Sequence, residues 1–385
     1  MVAVRRYAHI VGWGRYVPEK VLTNDELSTM VDTSDEWIRA RTGIIQRHIA
    51  GPKETTSSMA LKAAKEALWV AHVEPPDLDL IIVATATPDY PFPATACLVQ
   101  DSLGATKAGA FDLLAGCSGF VYSLALASQV IGNGACQNIL VIGAETLSRI
   151  IDWKDRATCV LFGDGAGAFV LQASDRPGGI LSFKLGSDGS GGDLLILPGG
   201  GSRHPSTVDS VTRGLHYVRM EGRAVFRFAT RIMGKAAHEA VEAAGLNLKD
   251  IDLFIPHQAN HRIIKSAARY LALPDEKVFV NVERYGNTSS ASVPIAFCEA
   301  IEQERMKPGD HLVLVAFGAG LTWAAAVVQW EVPLPVPERP QWQVGLTWLH
   351  YRLAGLRSFL HRIYLRVDGL LEWLMRLIQG RNNRR

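Results

Sequence analysis

The stretch KAAKEALWVAHVEPPDLDLII (residues 62–82) recurs 173 residues later as KAAHEAVEAAGLNLKDIDLFI (235–255), without a gap. Each copy reads as a helix, a short polar turn and a buried strand, because Ala-rich residues at helical spacing give way to an apolar run. A second correspondence, offset by 170 residues, aligns FDLLAGCSGF (111–120) with VNVERYGNTSS (280–290). Both segments place a polar or reactive residue between a strand and a helix that opens with small residues. The repeats predict a chain built from two duplicated halves.

Apolar runs alternate with Ala-rich helical stretches over residues 1–330, which is typical of an α/β protein. The N-terminal MVAVRRYAHIVGWG also favours a strand, since two arginines interrupt the apolar run that a secretory signal would need. We expect one half over residues 1–175 and the other over residues 176–331. The remaining predicted strands are LDLIIVATAT (78–87), NILVIGA (138–144), IDLFIPH (251–257), VFVNV (278–282) and HLVLVAFG (311–318).

The composition predicts a compact globular body. Of the 385 residues, 48% are hydrophobic and 20% are charged, which excludes disordered, collagenous and small disulfide-stapled proteins. The net charge of +2 hides an asymmetry: residues 341–385 hold eight Arg and two acids (+6), leaving 32 basic and 36 acidic residues (−4) in residues 1–340. The body is therefore not expected to bind nucleic acid. No run of 18 apolar residues is present, and a cytoplasmic location is expected.

Five scattered cysteines include one in an unusual setting. No Cys-x-x-Cys pair occurs, so neither a zinc site nor a disulfide framework is predicted. Cys117 lies in AGCSGF, between glycines and at the start of an apolar helix. The positive end of a helix dipole should lower the pKa of its thiol. The other four cysteines, Cys97, Cys136, Cys159 and Cys298, are expected to pack in the core.

Two further polar residues follow predicted strands. His257 lies in PHQAN and Asn287 in YGNTSSAS. Taken alone, His257 fits a hydrogen-bonded core histidine and Asn287 fits a turn residue. A pseudo-twofold arrangement of duplicated halves would instead bring equivalent strand ends together, so that Cys117 and Asn287 face one site. Ligands of α/β proteins tend to bind beyond such strand ends.

The three motifs AGCSGF, PHQAN and YGNTS, in this order, resemble the Cys-His-Asn motifs of β-ketoacyl-acyl-carrier-protein synthase III in the thiolase superfamily. TSDEWIRARTGI (33–44), FGDGAGA (162–168) and FGAGLTW (317–323) resemble further motifs of that family. The resemblance covers about residues 5–330 and implies a thiolase-like five-layered α-β-α-β-α fold, normally as a homodimer. It implies decarboxylative condensation of an acyl-CoA primer, most simply acetyl-CoA, with malonyl-acyl carrier protein to start type II fatty acid synthesis. CoA thioester is then a substrate, and no cofactor or metal is expected.

The resemblance also implies residue roles. Cys117 would be the nucleophile, His257 and Asn287 would stabilise the enolate oxygen, and the backbone N–H groups of Cys117 and Gly320 would form the oxyanion hole. Because an amide cannot remove a proton, Asn287 favours decarboxylation over proton abstraction as the source of the nucleophile. The resemblance assigns CoA binding to Trp37, Arg41 and Arg156, an acyl-pocket contact across the dimer to Phe92, and carrier-protein binding to Arg227, Arg262 and Arg269, with Lys265 close by.

Two other functions stay open at this point. One is a related acyltransferase or condensing enzyme of polyketide or secondary metabolism, and the other is a non-catalytic scaffold on the same fold. The presence of all three reactive residues disfavours the scaffold. GDGAGA (163–168) has the wrong spacing for a dinucleotide fingerprint and is expected to allow close backbone packing. Residues 186–203, GSDGSGGDLLILPGGGSR, are expected to form a surface loop.

The family motifs leave the C-terminal region unexplained. Residues 332–341 hold closely spaced prolines and predict a stiff linker, and residues 342–385 predict a basic amphipathic helical tail. Three roles compete: an interfacial helix on anionic lipid, helix pairing across a dimer or with another protein, and packing on the enzyme body. The apolar heptad positions are Leu346, Leu349, Leu353, Leu356, Leu360, Ile363, Val367, Leu370, Leu374 and Leu377.

Overall fold

The computed structural model describes residues 6–332 and, in the tail, residues 351, 353–361, 363–365, 367 and 368. The predicted linker from residue 333 onward and the tail predictions at 342–350 and 369–385 lie outside the described residues.

Strands and helices alternate along the body as expected for an α/β chain. The strands are β1 Tyr7–Tyr16, β2 Val21–Thr23, β3 Gln46–His48, β4 Leu80–Ala84, β5 Gly109–Leu113, β6 Asn138–Glu145, β7 Gly165–Ser174, β8 Gly179–Ser187, β9 Leu195–Ile196, β10 Arg219–Met220, β11 Leu253–Pro256, β12 His311–Gly318 and β13 Thr322–Gln329. The helices are α1 Asn24–Ser28, α2 Asp35–Thr42, α3 Thr56–Ala71, α4 Thr95–Leu103, α5 Gly119–Gly132, α6 Arg156–Cys159, α7 Val208–Thr212, α8 Gly222–Ala243, α9 His261–Tyr270, α10 Val282–Tyr285 and α11 Ser292–Glu302.

Two large sheets repeat one topology. The strand order is β1-β7-β6-β4-β5 in the first sheet and β8-β13-β12-β11 in the second. In both, the pair at the centre of the repeat is parallel (β4 with β6, β11 with β12) and the next strands are antiparallel. β4 and β11 begin at Leu80 and Leu253, and β6 and β12 begin at Asn138 and His311, each pair 173 residues apart. The predicted duplication is confirmed.

The middle layer consists of two helices with apolar residues on most sides. A helix buried between two sheets must be apolar nearly all round, and α5 (GFVYSLALASQVIG) and most of α11 meet this requirement. Strand β6 shows the two-residue alternation that this layering demands. Its Ile139 and Val141 pack in the same core cluster as α5 and α11, whereas Leu140 and Ile142 pack with α3.

The outer layers complete the predicted five-layered α-β-α-β-α fold. Helices α3 and α4 cover the first sheet, and α8 and α9 cover the outer face of the second. Thr55 caps α3 through its side chain, which accepts a hydrogen bond from the Ser58 amide. The fold class predicted from the sequence is therefore confirmed.

One predicted strand is mostly absent. VFVNV (278–282) makes a single parallel bridge, between Val278 and Phe254, and α10 begins at Val282. The Asn281 amide donates to the side chain of Gln258 at 3.0 Å instead of to a neighbouring strand. Side-chain hydrogen bonds thus end the ladder where the fifth strand of the second sheet would continue.

The tail residues that the structure describes are helical, and we call them the tail helix (residues 351–368, apart from 352, 362 and 366). The Ser358 hydroxyl donates to Asp101 of α4 at 2.6 Å, and Lys65 of α3 lies 4.3 Å from the Tyr351 ring centroid. Within the described residues, no helix is long and apolar enough to cross a membrane.

Close contact between the halves depends on small residues at the middle layer. A Cβ added at Gly143 of β6 would lie 2.3 Å from the Ser290 carbonyl oxygen of the second half, and one at Gly167 of β7 would lie 2.7 Å from the Cβ of Pro294 in α11. The motif GDGAGA thus serves close packing, as predicted.

We predict that Gly143→Ala lowers the free energy of unfolding by about 1–3 kcal/mol, because the Ser290 backbone must move. Urea unfolding measures the change. Gly192→Ala is the matched control, since a Cβ there would meet no atom within 4 Å. Equal stability of the Gly143 variant and the wild type would contradict the packing described here.

Candidate active site

The three residues predicted to be catalytic lie at equivalent ends of the two halves. Cys117 lies in a single turn of 3-10 helix, Gly116–Ser118, between β5 and α5. Asn287 lies between α10 and α11, two residues before the corresponding turn Ser289–Ala291. His257 immediately follows β11. All three side chains are buried, so none is an ordinary surface residue.

The end of β12 brings the Cys117 turn and His257 together. A Cβ added at Gly318 would lie 2.5 Å from the Cys117 amide nitrogen, and one at Gly116 would lie 2.8 Å from the Ala319 amide nitrogen. The neighbouring Phe317 ring contacts the His257 ring edge to face, with centroids 5.3 Å apart. Gly116 also has a φ of +54°, which favours glycine at this position.

The His257 imidazole has one occupied and one unoccupied nitrogen. Its Nδ1 is hydrogen-bonded to the Ser292 hydroxyl at the start of α11. Its Nε2 is buried and has no hydrogen-bond partner among the described residues. Burial lowers the pKa of His257 to about 3, so the imidazole is neutral near pH 7. A buried, neutral ring with one free nitrogen is suited to bind an uncharged or developing oxygen.

Asn287 is held in one orientation. Its Oδ1 accepts a hydrogen bond from the Ser289 amide at 2.8 Å. Because a backbone N–H can only donate, the oxygen of the side chain is assigned and Nδ2 is the end that can donate to a ligand. Ser289 also hydrogen-bonds to the Cys117 thiol, which connects Asn287 to the nucleophile.

The Cys117 thiol differs from its predicted state. Burial raises the pKa of Cys117 to about 12, the Ser289 hydrogen bond lowers it in part, and the nearby Glu145 carboxyl raises it further. The expectation that the helix N-terminus gives a low pKa is therefore wrong for the resting enzyme. Loss of hydration outweighs the dipole, since the thiol lies below the surface at 8% exposure.

A buried carboxyl, Glu145, lies at the centre of the site and was not predicted. It accepts hydrogen bonds from the Thr87 hydroxyl at 2.6 Å, the Ala86 amide at 3.1 Å and the Ser289 hydroxyl at 3.0 Å. Burial raises its pKa, and these donors lower it in part. Glu145 ends the apolar run of β6, and an acid at that position was the available sequence signal. We regard it as a positioning residue, because its contacts are with the protein.

A cavity of about 100 Å³ opens beside the Cys117 thiol. Ala86, Leu147, Phe162 and Ala319 contribute to its lining. Leu195, Ile196 and Leu197 also line it, and Leu195–Ile196 form β9. The segment predicted as a surface loop (186–203) therefore supplies part of the apolar wall, because its LLIL stretch pairs with β10 and turns inward.

The residues predicted to bind CoA are adjacent. The Arg41 guanidinium lies 4.6 Å from the Trp37 ring centroid, and the Arg156 guanidinium lies 5.1 Å from it. Both arginines are exposed, and Arg156 donates to the Asp32 carbonyl at 2.8 Å. A half-buried indole beside two cations offers a stacking surface and positive charge for a nucleotide.

The predicted carrier-protein residues form one exposed basic patch on α8 and α9. Arg227 lies on α8, and Arg262, Lys265 and Arg269 lie on α9, which packs against it. Arg262 lies 5.1 Å from the Phe226 ring centroid of α8. In the described part of the chain, none of the four basic side chains forms an ion pair. Their charge is therefore available to an acidic partner.

Two predicted residues have settings that the sequence did not reveal. Phe92 is 85% exposed, so it is neither a core residue nor part of the cavity lining of its own chain. Gly320 lies in the turn between β12 and β13 with a φ of +120°, and it is the preceding residue, Ala319, that lines the cavity.

The other cysteines form no site. All five cysteines are free. Cys159 and Cys298 are buried as predicted, and Cys136 is partly buried. Cys97 is exposed, so its predicted core packing is wrong. The described residues contain no group of three or more His, Cys, Asp or Glu that could hold a metal ion.

A buried nucleophile and two polar ligands at the seam of a duplicated α-β-α-β-α fold define a condensing enzyme of the thiolase type. Two family models match the chain: 3-oxoacyl-[acyl-carrier-protein] synthase III over residues 111–189, and the C-terminal region of the same enzyme over residues 241–330. The chain is 55% identical over 324 residues to the β-ketoacyl-[acyl-carrier-protein] synthase III of Caldanaerobacter subterraneus subsp. tengcongensis, covering 84% of this chain and 98% of the relative.

Solved structures agree with this match. The 3-oxoacyl-[acyl-carrier-protein] synthase III of Aquifex aeolicus is 49% identical, with a TM-score of 0.78, and the match covers 84% of this chain and all of the other. A priming β-ketosynthase of a polyketide pathway is 37% identical, with a TM-score of 0.80, over 86% of this chain and 99% of the other. The chain belongs to the β-ketoacyl-acyl-carrier-protein synthase III family. It is an acyltransferase of the condensing-enzyme class.

We predict that alkylation of Cys117 by iodoacetamide accelerates about tenfold per pH unit from pH 6 to pH 9, without a plateau. The reason is that a thiol whose pKa is about 12 stays mostly protonated in this range, and the reactive thiolate fraction rises with pH. Mass spectrometry of the Cys117 peptide measures the rate, with Cys117→Ser as the control for site assignment. A plateau near neutral pH would contradict a neutral resting thiol.

Proposed function

We propose that the protein condenses a short acyl-CoA primer with malonyl-acyl carrier protein, giving 3-oxoacyl-acyl carrier protein, CO2 and CoA, as the first condensation of type II fatty acid synthesis. The observation that carries this proposal is the pairing of a buried thiol with two neutral polar groups, His257 Nε2 and the Asn287 amide. Both can bind a thioester oxygen, and the Asn287 amide cannot remove a proton from carbon.

The first step is acyl transfer. The Cys117 sulfur attacks the thioester carbonyl, the bond from carbonyl carbon to CoA sulfur breaks, and the thiol proton ends on CoA. Two backbone N–H groups facing the carbonyl oxygen would stabilise the oxyanion. We propose Cys117 and Ala319 for this role in place of Gly320, because Ala319 lines the cavity and its amide nitrogen lies against the Cys117 turn.

The second step is decarboxylation and condensation. The malonyl group loses CO2, and the electron pair forms an enolate whose oxygen is bound by His257 and Asn287. The enolate carbon attacks the acyl carbonyl, the Cys117 thiolate leaves, and it then takes up one proton. Glu145 is unsuited as a base for the alternative route, since its oxygens already accept hydrogen bonds from Thr87, Ala86 and Ser289.

Ser292 supports the tautomer that this step needs. The Gln258 amide donates to the Ser292 hydroxyl oxygen at 3.4 Å, which leaves the hydroxyl hydrogen able to donate to His257 Nδ1. The proton of the neutral ring then resides on Nε2 and points to the substrate. Ser292 is thus a positioning residue for His257.

The cavity supports a short primer. A volume of about 100 Å³ corresponds to roughly three groups of water size, at about 30 Å³ each, which matches an acetyl group. Acetyl-CoA is therefore the primer that we propose. CoA would bind against Trp37, Arg41 and Arg156, and the acidic carrier protein would bind the patch of Arg227, Arg262, Lys265 and Arg269. No cofactor or metal takes part in this scheme.

We also propose that the enzyme acts as a homodimer in the cytoplasm. Phe92 and Leu114 are 85% and 76% exposed, and Tyr90 and Phe111 are also exposed. Large apolar side chains grouped in this way usually mark an interface. A second copy would cover them and could bring Phe92 to the acyl pocket of its partner.

A second candidate function is priming of a polyketide or other secondary pathway. The 37% identity with a priming β-ketosynthase of a polyketide pathway favours it. The two functions differ in the carrier protein and the primer, and not in the reacting groups.

We predict that acetyl-CoA adds one acyl group to Cys117, whereas Cys117→Ser stays unmodified; intact-protein mass spectrometry over a panel of acyl-CoAs measures this. Addition of malonyl-acyl carrier protein should then release a 3-oxoacyl product. The small cavity predicts that adduct formation falls steeply for longer chains. No adduct with any donor would overturn the proposed function, and an adduct without condensation would favour the secondary-metabolism alternative.

We predict that Asn287→Asp lowers the condensation rate about 100-fold or more, because a carboxylate cannot donate to the enolate oxygen and repels its charge. Acylation of Cys117 from acetyl-CoA should persist, since Asn287 acts in the second step. Single-turnover kinetics separate the two rates. Equal loss of both would contradict the division of roles. Arg305→Gln, an exposed surface change that preserves both rates, is the matched control.

A further inference from the structure

The tail helix contacts the enzyme body through one narrow side. Tyr351 and Ser358 face Lys65 of α3 and Asp101 of α4, and Ala354, one turn from each, is only 6% exposed. With 3.6 residues per turn, these three residues lie on a single side of the helix. The body contact therefore fixes the direction in which the rest of the helix points.

The opposite side of the tail helix is apolar and exposed. Its large side chains are between 44% and 60% exposed, and they span an arc of about 140°. They include every described position of the apolar heptad. The residues are Leu353, Leu356, Phe359, Leu360, Ile363, Tyr364 and Val367. Body packing thus leaves the apolar heptad stripe uncovered, which is an expensive arrangement for a helix in water.

The known relatives do not account for this helix. The Caldanaerobacter relative and the Aquifex structure are matched over nearly their whole lengths, yet they cover only 84% of this chain. The apolar stripe is therefore an addition to a catalytic body that the family already contains, and it lies away from Cys117 in the sequence and in the contacts described.

Charge decides which partner suits this stripe. Residues 341–385 contain eight Arg and two acidic residues, a net charge of +6. Pairing two copies of this segment would place like charges together with few acids to balance them, and the arc of about 140° is wider than a two-residue coiled-coil seam. An anionic lipid surface provides negative charge and an apolar layer at once.

We propose that the tail helix binds the surface of an anionic membrane, with the apolar stripe inserted at the level of the headgroups and the arginines of the tail paired with lipid phosphates. The face in contact with α3 and α4 stays on the enzyme, so the catalytic body is held at the membrane surface. This location goes beyond the proposed condensation and does not depend on it.

The test is co-sedimentation of the full-length enzyme with sucrose-loaded vesicles. One set contains phosphatidylcholine alone, and the other contains equal parts of phosphatidylcholine and phosphatidylglycerol. We expect binding to the anionic vesicles, little binding to the neutral ones, and weaker binding when KCl is raised from about 0.1 M to about 1 M, where the screening length falls from about 10 Å to about 3 Å.

A double variant identifies the surface. Leu356→Glu with Leu360→Glu should reduce the partition coefficient on anionic vesicles about tenfold or more. Val208→Glu with Val211→Glu is the matched control, since both valines are more than 60% exposed on α7 and receive the same two charges. Condensing activity without vesicles, together with thermal unfolding, verifies that both double variants are folded.

Several outcomes would overturn the proposal. One is failure of the wild type to sediment with anionic vesicles, and another is undiminished binding by the tail variant. Self-association of the wild type that the tail variant abolishes, without vesicle binding, would assign the stripe to helix pairing. Loss of condensing activity in all proteins would instead concern the proposed function and leave the vesicle result intact.

Discussion

The hydrogen bond between Glu145 of the first half and Ser289 of the second is the interaction on which the site depends. A buried carboxyl is tolerated only where donors surround it, and Thr87, Ala86 and Ser289 supply them at 2.6, 3.1 and 3.0 Å. Ser289 in turn donates its amide to Asn287 and contacts the Cys117 thiol. One buried acid therefore fixes the relative position of the nucleophile and an enolate ligand that belong to different halves.

The resting site is electrically quiet around its reacting groups. Burial keeps the Cys117 thiol protonated, with a pKa of about 12, and keeps His257 neutral, with a pKa of about 3. No ion pair between them needs to be broken before substrate binds. Negative charge then develops only on the thioester oxygens, where the free His257 Nε2, the Asn287 amide and backbone N–H groups await it. Donors already fixed in a dry site need little reorganisation, which is the main source of electrostatic stabilisation.

Much of the fold followed from local patterns, and its exceptions have physical causes. The 173-residue repeat predicted the two sheets, because apolar strands on a shared offset must occupy equivalent places. VFVNV failed as a strand because Asn281 bonds to a side chain, which is a tertiary contact that no period reveals. The triad was found from its motifs. Ala319, Leu195 and Glu145 were missed, since their importance arises from loops that meet only in the folded chain.

The inverted pKa of Cys117 and the tail helix show two ways in which burial modifies a local rule. A helix N-terminus favours thiolate in water, but the Cys117 turn lies under β12 and loses more from desolvation than it gains. An amphipathic helix normally turns its apolar side inward, but the tail helix uses Ala354 and Ser358 for the body and leaves its leucines outside. A single helix of this kind binds lipid weakly and reversibly. In the proposed homodimer, two tails that reach one surface would bind as an intramolecular pair, so dimer formation itself would convert weak contacts into firm attachment.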